Sequence, residues 1–151
     1  MTWIYEWAWW IAGMILLVAV FTDVKKRIIP DWLLGIGGIV FLLLHLFHPQ
    51  QLGMYLLSAV AFFLGLWLLA ILSKGGVGGG DIKLFSLLGL ALGWEPTLWI
   101  FIFSHFIGGG WVLLLYVYRK LGKKHSLEKG DSLPFAPFIL AGFIITYLFY
   151  V

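Results

Sequence analysis

Cysteine is absent, proline occurs five times, and only seven acidic and ten basic side chains are spread over 151 residues. Without cysteine there is no disulfide, no thiolate zinc site and no cysteine nucleophile. Charged residues make up 11% of the chain, against about 25% in an average soluble domain. Charge this sparse excludes intrinsic disorder and secreted disulfide scaffolds. What the sequence has in abundance is apolar length: 62% of residues are hydrophobic, and the mean hydropathy is +1.02. A chain of this kind lacks the polar surface to cover a water-soluble globule, so membrane lipids are its expected surroundings. The net charge of +3 invites a nucleic-acid reading. Basic loops beside apolar spans match anionic lipid headgroups more simply, and nucleic acid is set aside as a partner.

A bilayer core needs about 20 apolar residues of helix. The apolar runs are Trp3–Phe21, Pro30–Phe47, Leu52–Leu72, Ile82–Trp94, Thr97–Tyr118 and Leu133–Val151. They predict an all-α integral membrane protein, a bundle of six transmembrane helices forming one domain over residues 1–151. No basic stretch precedes the first run, so Met1–Glu6 is a poor secretory signal and reads as part of a retained span. In a six-span arrangement all ten basic residues fall on one side. They are Lys25, Lys26 and Arg27, then Lys74 and Lys83, then Arg119, Lys120, Lys123, Lys124 and Lys129. The positive-inside rule makes that side cytoplasmic and both termini extracytoplasmic, in an inner or plasma membrane.

The fourth run is short. From Ile82 to Trp94 a helix covers about 20 Å, against about 30 Å of hydrocarbon. Either the bilayer thins there, or the helix starts below the cytoplasmic surface with irregular glycine-rich backbone before it. Such backbone is tolerated at membrane depth only where protein or a water-filled cavity satisfies its polar groups. The second case implies a water-accessible pocket near residue 81.

Two of the seven carboxylates stand apart. Asp23 ends the first span and Asp81 opens the fourth, so two different helices bring them to the same membrane face. Ionisable residues at or within spans are functional by default; the structural alternative makes Asp81 a helix N-cap and Asp23 a polar helix end. A carboxylate pair suits aspartyl-protease chemistry. One ionised Asp takes a proton from the attacking water, while the other, protonated, hydrogen-bonds the scissile carbonyl and helps protonate the leaving amine. Like charges so close share one proton. Helix ends bias the pair, since an N-terminus favours the anion at Asp81 and a C-terminus disfavours it at Asp23. On that bias Asp81 is the base and Asp23 the acid, although the pair titrates as a unit.

Gly75-Gly76-Val77-Gly78-Gly79-Gly80 leads into Asp81. A phosphate loop would need Gly-Lys followed by Ser or Thr, which is missing. The run serves either as a flexible hinge or as an extended strand that lets a substrate backbone approach the aspartate. Glu6, Glu95, Glu128, Asp131 and Asp31 read as solvated or capping groups. His45 and His48 read as interfacial, His105 as a hydrogen-bonded packing residue, and His125 as part of a basic loop. No metal site assembles among them, and no cofactor is implied. Trp3, Trp7, Trp9, Trp10, Trp94 and Trp99 sit near helix ends, as an interfacial belt would.

Thr22-Asp23-Val24-Lys25-Lys26-Arg27-Ile28-Ile29-Pro30 and Gly78-Gly79-Gly80-Asp81-Ile82-Lys83-Leu84-Phe85 resemble the two signatures of type IV prepilin peptidases, the bacterial branch of the GxGD aspartyl proteases. Leu133-Pro134-Phe135-Ala136-Pro137-Phe138 resembles the family's Pro-Phe-x-Pro-Phe segment. The resemblance implies removal of a short basic leader from prepilin or pseudopilin substrates at the cytoplasmic face, just before a hydrophobic helix. It implies Asp23 and Asp81 as catalytic, with Gly78, Gly80, Lys83, Pro30 and Pro134 as motif or substrate-positioning residues. Asp31 departs from the Asn that many members carry after Ile-Pro. Larger relatives add a cytoplasmic region, often with paired cysteines, and N-methylate the product. This chain looks like the short peptidase-only form, without methyltransferase activity. A basic leader approaching a basic face needs local acids, for which Asp31, Glu128 and Asp131 are candidates.

Two other readings use the same aspartates. A presenilin-like or signal-peptide-peptidase-like protease resembles a Tyr-Asp and Pro-Ala-Leu pattern, whereas here Thr22 precedes Asp23 and no Pro-Ala-Leu occurs. A proton-coupled transporter would place its carboxylates near the bilayer midplane, often between repeats; no repeat is visible.

Overall fold

The computed structural model describes residues 2–47, 49–121 and 134–150. Among these, the chain forms six helices: α1 Thr2–Lys26, α2 Asp31–Leu46, α3 Pro49–Leu72, α4 Gly79–Leu92, α5 Trp94–Leu121 and α6 Ala136–Tyr150. Three are long and apolar enough to cross a membrane, at Tyr5–Lys26, Pro49–Leu72 and Trp94–Tyr118. The helices α2 and α6 are apolar but shorter, at 16 and 15 residues, and α4 has 14. Glu128, Asp131, His48, His125, Lys123, Lys124 and Lys129 lie outside the described residues.

Polarity runs opposite to that of a soluble protein. Leu57, Val60, Leu68, Trp10, Met14 and Leu113 are exposed, while Ser58, Thr97, Ser104 and Thr146 are buried. That inversion is what lipid selects, because small polar residues let helices approach while large apolar ones face the acyl chains.

The short helix α4 occupies the centre, in contact with α1, α2, α3 and α5. Its side chains from Leu84 to Leu92 are almost all buried. This fits its length: a helix whose sides are packed against other helices has no need to cross the hydrocarbon itself. It is tied to α3 by Ser86 Oγ, which donates to Ala59 O at 2.9 Å. The helix also starts earlier than the apolar run, at Gly79, with Gly78 as N-cap. Asp81 is therefore the third residue of α4 and not its cap. Gly93 alone, with a φ of 84°, separates α4 from α5. Glu95 and Pro96 thus form the first turn of α5, where a missing proline N–H costs nothing.

At the end of the bundle remote from Asp23, His45 corrects the interfacial expectation. It is buried, its Nε2 lies 2.8 Å from Leu90 O, and its ring stacks on Tyr55 at 3.8 Å. Trp9 departs from the belt in the same way, being buried against Phe143, Tyr147 and Tyr150. Both side chains join different helices inside the bundle.

Candidate active site

Five chain segments meet at the other end: the close of α1, the start of α2, the loop after α3, the start of α4 and the start of α6. Asp23 lies in the last turn of α1, which continues one turn beyond the predicted span. Arg27 stops the helix by entering the left-handed region, at a φ of 54°. Its N–H donates to Asp23 O at 2.7 Å, and the chain turns there towards α2. Pro30 then caps α2 in an extended conformation, with Asp31 as the first helical residue.

Asp23 is 8% exposed, and its Oδ2 accepts a hydrogen bond from the N–H of Ala136 at 2.9 Å. Ala136 is the first residue of α6, and the first amides of a helix have no partner within it. One helix therefore caps its N-terminus with a carboxylate from another, 113 residues away. Judged from α1 alone, the backbone disfavours an anion at Asp23. The α6 amide adds the opposite influence, so helix ends no longer distinguish the two aspartates in the way the sequence suggested.

Asp81 comes to the same place from α4 and is close enough to interact electrostatically with Asp23. The two carboxylates line two adjoining cavities. One, of about 440 Å³, is bounded by the glycine run from Gly75 to Gly78, by Arg27, and by an apolar wall of Leu66, Phe85 and Phe135 that also carries His105. The other, of about 460 Å³, is bounded by Arg27 to Ile29, Asp31, Gly78 to Gly80 and Lys83. These cavities agree with the pocket expected near residue 81.

The glycines are fitted to this arrangement. A Cβ on Gly78 would lie 3.0 Å from Asp81 Oδ2, and one on Gly80 would lie 3.2 Å from Ile29 Cβ. Gly75 to Gly78 stay outside the helices, so the non-helical part of the run borders the first cavity while Gly79 and Gly80 begin α4. Lys83 Nζ pairs with Asp31 Oδ1 at 2.6 Å, joining α4 to α2 at the rim of the second cavity. Asp31, expected as a free guide for a basic leader, is thus already matched by a cation. Pro30 and Pro134 line neither cavity; they set the starts of α2 and α6.

Two lining residues escaped the sequence reading. Arg27 stands in the first signature and among the loop charges but is given no role at the site, and a left-handed arginine has no signature in sequence. His105 was read as a hydrogen-bonded packing residue. The hydrogen bond is present, with Nδ1 2.8 Å from Phe101 O, but the ring also borders the first cavity.

The family model described as the type IV leader peptidase family matches residues 10–113. This chain belongs to that family. The match includes both aspartates, the glycine run and His105. Among curated proteins, the chain is 37% identical to a prepilin leader peptidase/N-methyltransferase of Bacillus subtilis, covering 91% of this chain and 53% of that protein. It is 33% identical to a protein of the same name from Aeromonas salmonicida, over 86% of this chain and 45% of the relative. A namesake in Legionella pneumophila is 31% identical over 85% and 45%. The chain thus spans about half the length of the curated leader peptidases it matches. No solved structure matches it significantly.

Proposed function

We propose that this chain is an aspartyl endopeptidase that removes the short basic leader of prepilin-like proteins. The observation that carries the reading is the meeting of Asp23 and Asp81, from two helices, at the boundary of two cavities large enough for a stretch of extended peptide. Membership of the leader peptidase family supports it, as do the names of the relatives.

In this mechanism one carboxylate takes a proton from water as the oxygen attacks the scissile carbonyl. The other, protonated, donates to the carbonyl oxygen. Collapse of the tetrahedral intermediate breaks the C–N bond, a proton passes to the leaving amine, and the products are a leader carboxylate and a new pilin N-terminus. The pair shares a single proton, so the rate falls on both the acid and the alkaline side. The glycine run holds the substrate strand extended beside Asp81, with Gly78 and Gly80 giving the close approach. Lys83, Pro30 and Pro134 position the helices that carry the site.

The chain works as a six-span protein of the cytoplasmic membrane, with its basic helix ends and the aspartates towards the cytoplasm and both termini outward. Support comes from the one-sided basic residues and from the contacts that gather alternate helix ends around Asp23.

The test is co-expression with candidate prepilins, reading leader loss by gel shift and the new N-terminus by sequencing. Wild type is expected to cleave, and Asp23→Asn and Asp81→Asn to be inactive at normal abundance. Cleavage that survives both substitutions would overturn the dyad. Failure of the wild type across prepilins of several systems would favour the transporter reading, which expects none.

A further inference from the structure

His105 has one nitrogen committed and one available. Phe101 O can only accept a hydrogen bond, so Nδ1, 2.8 Å from it, must carry the hydrogen. In the neutral ring this makes Nε2 an acceptor, and among the described residues nothing donates to it. The ring itself is held firmly. Its centroid lies 4.0 Å from that of Phe101 and 4.9 Å from that of Phe135, with Phe85 at 6.3 Å. An imidazole fixed in place, with Nδ1 committed, thus borders the first cavity. Leu66, Phe85 and Phe135 line the same cavity, together with Asp23, Asp81 and Arg27.

We infer that His105 Nε2 accepts a hydrogen bond from a main-chain N–H of the substrate, on the hydrophobic-segment side of the scissile bond. The assignment rests on the leader-peptidase reading and deepens it by fixing which side of the substrate enters the first cavity. The apolar wall of Leu66, Phe85 and Phe135 suits the residues that begin a hydrophobic helix, whereas the second cavity, among the described residues, is lined by no aromatic side chain and carries the Asp31–Lys83 pair. An extended peptide entering an apolar pocket brings unpaired amides with it, and a buried amide without a partner is costly. His105 supplies that partner and fixes the register of the strand against Asp23 and Asp81.

Two substitutions separate this contact from a structural role. Asn places its amide where Nδ1 stands and keeps a donor near Phe101 O, but it does not reach the Nε2 position. Gln reaches the Nε2 position and gives up the Nδ1 place. With purified full-length chain in vesicles and a prepilin substrate, His105→Asn is expected to raise KM about tenfold with little change in kcat. His105→Gln should stay within about threefold of wild type. Replacing the contacted substrate amide by an ester should raise KM for wild type and add nothing for His105→Asn.

A normal KM for His105→Asn with an impaired His105→Gln would overturn the contact, because only the Nδ1 bond would then matter. Two variants with wild-type kinetics would overturn it too, as would losses confined to kcat. In each of those cases the wild type still cleaves, so the protease reading stands. A wild type that cleaves no prepilin overturns that reading, and this inference with it.

Discussion

Three successive glycines give the sharpest test of how the site is built, because alanine at each meets a different neighbour. Gly78 has φ −68° and ψ 140°, which alanine adopts freely, so Gly78→Ala introduces no backbone strain. Its new Cβ would stand 3.0 Å from Asp81 Oδ2, whereas ordinary contact begins near 3.4 Å. The carboxyl must therefore retreat by about 0.4 Å. If a misplacement of about 1 Å costs about a hundredfold, a log-linear scaling puts the loss at about fivefold to tenfold in kcat. Gly79→Ala meets nothing within 4 Å and should cleave normally. Gly80→Ala presses on Ile29 at 3.2–3.3 Å, so it disturbs the link from α1 to α2 and should lower thermal stability as well as rate. The assay is single-turnover cleavage of a prepilin by each variant, alongside thermal unfolding in the same detergent. Equal rates for Gly78→Ala and Gly79→Ala would refute the argument. So would a loss in Gly78→Ala that merely tracks reduced stability.

Other consequences follow from contacts already described. His45→Phe removes the bond to Leu90 O and leaves that carbonyl unpaired; it should cost about 1–3 kcal/mol in reversible unfolding, with the rate per folded molecule unchanged. Gly142→Val places side-chain atoms where a Cβ already meets Ile100 O at 2.7 Å. It should destabilise the α5–α6 pair by about 1–3 kcal/mol, read by the same unfolding experiment. Asp31→Asn breaks an ion pair whose side chains are 75% and 48% exposed, so stability should fall by less than about 1 kcal/mol.

The helices were legible because each is an apolar run ended by charge, glycine or proline, a signal carried by neighbouring residues. Asp23 and Asp81 stood out for the same reason: each is a carboxylate at the edge of such a run. What the sequence hid are contacts between distant segments. The Ala136 amide on Asp23, the Lys83–Asp31 pair and the His45 bond to Leu90 depend on which helix ends packing brings together. His105 was hidden differently. On α5 it sits among Phe101, Phe103 and Phe106, a setting equally suited to a packed core or a cavity wall. Only the position of α4 and the start of α6 decides between them.

The enclosure of α4 has a further consequence. A bilayer that grows thicker or thinner acts on the helices it wets, which answer by tilting or by deforming the lipid around them. Here those are the outer helices, α3 and α5 above all, with their rows of exposed leucine, phenylalanine and tryptophan. Asp81 rides on the helix that lipid touches least. Hydrophobic mismatch is thus expected to act first at the periphery, and the position of the carboxylate on α4 to depend least on acyl-chain length.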